Sequence, residues 1–179
     1  MQTLEQQQAF LHAHNTSVMG HSGQSLLDHL LGVRGILKDW GGSDVLLAAG
    51  LFHSVYGTES FRQEALPTTL RSEVRDVIGA AAERLAYVFG AMEKTTFDAS
   101  VARGTAFSVV DRHTGKTTKL DEAEWAALCT LVVANWLEQR PRVRPEHKFL
   151  KAEMFRALRT WLDAPAYEAL TEAYGFSPA

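Results

Sequence analysis

Two imidazoles and one amide stand where the surrounding sequence calls for hydrocarbon. Residues 43–59, SDVLLAAGLFHSVYGTE, are apolar or small almost throughout from Val45 to Val55, yet carry His53. A helix that is apolar all round is a buried one, and a buried imidazole needs a hydrogen-bond partner or a metal ion. His29 lies beside an apolar stripe of Leu26, Leu30, Val33 and Leu37. Asn135 falls on a third such face, with Leu128, Leu131 and Val132. Each polar residue alone is accounted for as a satisfied core side chain. Three from separate segments point to a shared site, because buried polar groups gather to satisfy one another.

The chemistry open to such a group is that of a divalent metal. Two neutral imidazoles plus oxygen donors suit Mn, Fe, Zn or Ni. A hydrolytic metal site usually adds carboxylates that hold the ion and orient water. Glu59, just past the buried helix, is the best placed and is the candidate general base. Asp28 adjoins His29 but points about 100° away around a helix. Glu138 follows Asn135 by three residues, on a neighbouring face. Without a metal, His53 and Glu59 would do acid–base work directly. His21, in a glycine-containing loop, approaches His29 and is a candidate binding residue. Tyr56 shares a helical face with His53 and is another. Arg62, Arg71 and Arg75 are candidates for a pocket mouth receiving an anionic ligand. Cys129 sits in an apolar run and reads as an inert core thiol. No glycine-rich phosphate loop is present.

Helices must position these groups. Thr3 with Gln6 resembles a capping box and opens a helix over 3–14. The Leu26–Leu37 stripe predicts a helix over about 25–40, ended by Gly41-Gly42. Ser43 caps the buried helix, and Gly57 closes it. Leu70, Val74, Val77, Ile78, Ala81, Leu85 and Val88 predict one long amphipathic helix over about 69–91, weakened at Gly79 and Gly90. From 95 to 120 the character changes, and FSVVDRHTGKTTKL reads as a small β-hairpin turning at His113-Thr114-Gly115. Asp121 starts a helix that Pro141 terminates. Further helices are expected over about 146–162 and 165–174. The fold class is mainly α, one domain over 1–179 with its core at about 21–140.

The same residues carry a family resemblance. SGQSLLDHLLGVRGIL followed by AAGLFHSVYGTE resembles the HD-domain superfamily. The closer likeness is to a small HD-like family of uncharacterised function with a GLFHSVYGTE motif; the hydrolase domain of stringent-response guanosine tetraphosphate enzymes is more distant. Ser22-Gly23 and His29 fit the first part of that pattern, His53 the second, and Leu131 to Asn135 the third. The resemblance implies a helical HD-like domain with a metal centre. Where the pattern has aspartates, this chain has Ser54 and Asn135, so Ser54 becomes a candidate binding residue. Gly57 and Thr58 replace a pair of acids, with Glu59 one step on. With two anions replaced by neutral oxygens, affinity for a divalent cation falls.

Composition narrows the partners. A length of 179 residues, 46% hydrophobic and 22% charged, suits a globular domain with a sizeable core. A formal charge of -3 argues for neither nucleic acid nor a membrane surface. A single cysteine excludes an internal disulfide and a cysteine-rich zinc site. The N-terminal stretch lacks the pattern of a signal peptide, and the run at 45–55 is too short to span a bilayer, so a cytoplasmic protein is expected. A homo-oligomer stays open. The functional expectation is an HD-like small-molecule enzyme, metal-dependent in hydrolysing a phosphoester or nucleotide-like substrate. The alternatives are an altered HD-like ligand-binding or regulatory domain, a non-hydrolytic oxygenase or acid–base enzyme, and a purely structural hydrogen-bond network.

Overall fold

The computed structural model describes residues 1–21 and 23–176. Ser22, part of the resemblance above, lies outside the described residues. The described residues are mainly α-helical with two small two-stranded pairings.

Helix α1 spans Leu4–Ala13 and opens with the Thr3–Gln6 capping box. Two-residue strands β1 (Gly20–His21) and β2 (Gln24–Ser25) pair antiparallel and lead into α2, Leu26–Asp39. Ser25 caps α2 by accepting from the Asp28 amide at 3.1 Å. Helix α3, Asp44–Phe52, starts at Ser43, whose hydroxyl accepts from the Leu46 amide at 3.3 Å. The side chains of α3 from Ala48 onward are buried, as an all-apolar helix requires. It packs against α2 and against α5, Ala80–Ala91.

The long helix expected over 69–91 is two helices. Helix α4 ends at Ile78, having begun at Arg71, and α5 begins at Ala80. Gly79 between them has φ +84°, a conformation an L side chain rarely adopts, so the axis breaks where hydrophobic spacing alone runs on. Glu83, wholly buried on α5, joins the halves by pairing with Arg71 and Arg75. These two arginines are thus committed to Glu83 rather than to a pocket mouth.

Helix α6 (Lys94–Arg103) occupies a stretch that sequence reading left without an element. Strands β3 (Ser108–Val110) and β4 (Thr117–Lys119) form the expected hairpin, with Val109 opposite Thr118. Phe107 stacks on Trp125 at 4.7 Å and gives the hairpin its support. Helix α7, Glu122–Gln139, opens with an Asp121–Glu124 capping box and carries acids in its first turn, which suits the helix dipole. It crosses against α2. At Gly32 of α2 a Cβ would stand 2.9 Å from Glu138 Cγ, so the glycine is what admits the Glu138 side chain to α2. The single helix expected over 146–162 is broken up. Lys151 takes φ +60°, only Ala152–Ala157 (α8) is α-helical, and a 3-10 turn follows over Leu158–Trp161. Helix α9 spans Ala164–Tyr174.

Candidate functional site

Three helices bring His29, His53 and Asn135 together. His29 projects from the first turn of α2, His53 caps the C-terminal end of α3, and Asn135 lies one turn before the end of α7. Both histidines are wholly buried. Their Nε2 atoms stand 3.1 Å apart, and Asn135 Oδ1 is 3.0 Å from His53 Nε2.

The outer ring atoms fix the protons. His53 Nδ1 lies 2.7 Å from the Gly50 carbonyl oxygen, so the Nδ1–H donates to it. His29 Nδ1 donates to the Glu138 carboxylate. Asn135 Oδ1 accepts from Gln139 Nε2 at 2.9 Å, which turns the oxygen inward. Both Nε2 atoms and an amide oxygen therefore converge. Such acceptors repel one another unless a proton or a metal ion sits among them. Burial above all, then the neighbouring His29, holds the His53 pKa down to about 3, against the raising effect of its bonds to Gly50 and Asn135. At neutral pH, His53 Nε2 is thus a bare donor atom.

Glu138 anchors this arrangement from outside. It accepts from Gln24 Nε2 at 2.8 Å and from Arg142 at 2.7 Å, besides His29. Burial raises its pKa, but the bonds from His29, Arg142 and Gln24 more than offset that and hold it at about 2. Of the three carboxylates weighed from sequence, Glu138 is the one that touches an imidazole. Its spacing of three from Asn135 was the available signal; Gly32, which admits it, gave none. Asp28 is exposed and bonded to Ser25, as its angular offset implied.

A cavity of about 320 Å³ adjoins the cluster. Asn135, Ser54, Glu59 and His21 line it, so four of the expected residues share one space. Glu59 accepts from the Lys94 backbone amide at 3.2 Å, and Lys94 Nζ donates to Ser60 Oγ at 2.6 Å. Lys94, also on the wall, is a cation that sequence reading missed, because it opens the unrecognised helix α6. Burial, then the nearby Lys151, lowers its pKa. His21 stacks on His29 with ring centres 4.2 Å apart and has Phe61 edge-on at 4.4 Å. Its Nδ1 is buried and has no hydrogen-bond partner among the described residues. Burial and His29 lower its pKa to about 4.

Tyr56 does not belong to this site. The helix stops at Phe52, so the face that Tyr56 would share with His53 does not continue. Its hydroxyl instead donates to Glu83 at 3.3 Å. Arg62 is exposed and is not among the lining residues. Cys129 is buried, and burial pushes its thiol pKa up, as an inert thiol requires.

The depressed histidine pKa makes the metal-free fold acid-sensitive. Below pH 6.5 the unfolded chain protonates residue 53, while the folded chain does so only near pH 3. Stability is therefore full above about 6.5 and falls through that window, by about 1.4 kcal/mol per pH unit for such a group. Urea unfolding at pH 7.5, 6 and 5 should show this fall, with a shallower slope in His53→Asn; equal slopes would show that His53 is not the group responsible.

The class defined so far is a mainly helical protein with two buried histidines and a half-buried asparagine beside a polar cavity. Among the described residues, no group of three or more His, Cys, Asp or Glu side chains is placed to hold a metal ion; the third donor here is an amide. No described helix is long and apolar enough to cross a membrane. Residues 10–94 match a family described as a domain of unknown function, DUF6817. The match takes in His21, His29, His53 and Glu59 and stops before α7. No curated protein and no solved structure matches the chain.

Proposed function

We propose that this chain is an HD-like small-molecule enzyme whose centre takes a divalent metal ion and whose cavity takes a small anionic phosphoester or nucleotide-like substrate. The observation that carries this reading is the pair of Nε2 atoms facing each other, each ring anchored through its far N–H. Metal-binding histidines are oriented in this way, by a carbonyl or carboxylate on the other nitrogen. The spacing also fits: adjacent donors on an ion with bonds of about 2.1 Å stand about 3.0–3.4 Å apart, against 3.1 Å here.

His29 and His53 would hold the ion, with Asn135 Oδ1 as a neutral third donor. Bound there, the ion supplies Lewis acidity toward a phosphoryl oxygen. Glu59 accepts a proton from the attacking water. Lys94 pairs with an anionic oxygen of the substrate, and Ser54 and His21 Nδ1 hydrogen-bond it. Mn, Fe and Zn all suit the donor set, with weak binding because no carboxylate faces the ion.

Calorimetric titration with Mn²⁺ or Zn²⁺ after chelator treatment tests the centre. One weak site, lost in His53→Ala, is expected. A site that persists in that variant, or no binding at millimolar metal, would falsify the metal reading. A ligand-binding or regulatory domain is the second reading, favoured by the neutral Ser54 and Asn135. Binding without turnover across a panel of phosphoesters selects it.

A further inference from the structure

Next to the polar cavity lies a second chamber of about 300 Å³, walled largely by Phe97, Val132, Trp136, Met154 and Phe155. Phe89, Met92, Lys94 and Asn135 line both spaces, so the two share a wall that includes the candidate metal donor and the cavity's cation. Each is at the lower end of the range for small-molecule sites, about 300–1,000 Å³. The first carries hydrogen-bonding groups and a lysine. The second is lined mainly by hydrocarbon and aromatic rings, and its further charged pair, Asp98 and Lys151, is joined at 2.9 Å. Met92 in the shared wall is unbranched and deformable, the kind of side chain that yields to a ligand passing beside it. Leu150, more than half exposed, stands on the apolar side.

Resting on the reading of the centre given above, we propose that the substrate is an amphiphile. Its anionic head lies in the polar cavity against Lys94, and an unbranched or aromatic hydrocarbon tail fills the chamber behind Met92. The occupant follows from continuity. The apolar chamber shares its wall with the site that receives the head, and Lys94 at the junction fixes which end is charged. A free sugar phosphate, polar along its whole length, would leave this hydrocarbon surface without a partner.

Calorimetric titration with n-alkyl phosphates from methyl to octyl, and with the matching n-alkanols, tests the inference on the intact chain. Affinity for the phosphates is expected to rise about threefold to fourfold per methylene and then level off as the chamber fills. Val132→Phe and Met154→Trp, which crowd only the apolar chamber, should flatten the rise while leaving methyl phosphate unchanged. Equal affinity along the series, no octyl phosphate binding at millimolar concentration, or an unaltered rise in both folded variants overturns the proposal. A parallel Mn²⁺ titration separates the two readings. Metal uptake without a chain-length effect sinks the amphiphile alone, and a chain-length effect without metal uptake sinks the metal centre alone.

Discussion

Glu83→Gln is expected to lower the unfolding free energy by about 3 kcal/mol and the melting temperature by roughly 6–12 °C. Glu83 is wholly buried, and both of its oxygens are used. Oε1 accepts from Arg71 Nε at 2.5 Å and from the Tyr56 hydroxyl at 3.3 Å. Oε2 accepts from Arg71 Nη2 and Arg75 Nε, each at 3.0 Å. Glutamine keeps the volume, so no cavity opens, but it removes the charge that balances two guanidinium groups. Arg71, pressed over the Tyr87 ring at 3.5 Å, cannot swing to solvent without giving up that contact. The loss falls where α4 and α5 are joined across Gly79. Urea unfolding with an unchanged m-value reads it out. A variant within about 1 kcal/mol of the native chain, the ordinary worth of an exposed ion pair, would mean that the cluster is screened by water.

The second large effect is a gain. Ser54→Asp combined with Asn135→Asp should tighten Mn²⁺ binding by about tenfold or more, because anionic oxygens then stand beside the two imidazole donors. Asn135 Oδ1 is already in contact with His53, and Ser54 lines the adjoining cavity together with Asn135, so both new carboxylates face the same space. The same change should destabilise the metal-free protein, since two acids then share a poorly hydrated space. Thermal unfolding should therefore show a lower melting point without metal and a steep recovery as Mn²⁺ is added. A folded double variant that binds Mn²⁺ no better than the native chain would remove the basis for aligning this centre with an HD site.

The sequence made the centre legible where a polar residue broke an otherwise apolar face. His29, His53 and Asn135 stand out in this way, and their helices begin close to the expected points because Ser25, Ser43 and Asp121 cap them; the His53 helix ends at Phe52, five residues before the Gly57 expected to close it. The structure departs from the sequence reading where position depends on a backbone turn. Gly79 at positive φ splits one hydrophobic stripe into two helices, and spacing carries no trace of that. Helix α6 is KTTFDASVAR, too polar and rich in threonine to announce itself, so Lys94 was overlooked. Tyr56 shares the His53 face only if the helix runs past His53, where the chain in fact leaves it. Spacing alone favours Glu59 over Glu138, because the close approach of α7 to α2 at Gly32 is a tertiary fact.

The bonds that shape the centre also set when it forms. His29 meets Glu138 across 109 residues of chain, and Gln24 meets it across 114. Helices α2 and α3 are near neighbours in sequence and can pair early, but their two histidines then lack the carboxylate and the amide that orient them. Contacts closing so long a loop come late in folding. The converging lone pairs are therefore a property of the complete fold alone, and a ligand that recognises them draws the chain toward that fold without stabilising partly folded forms.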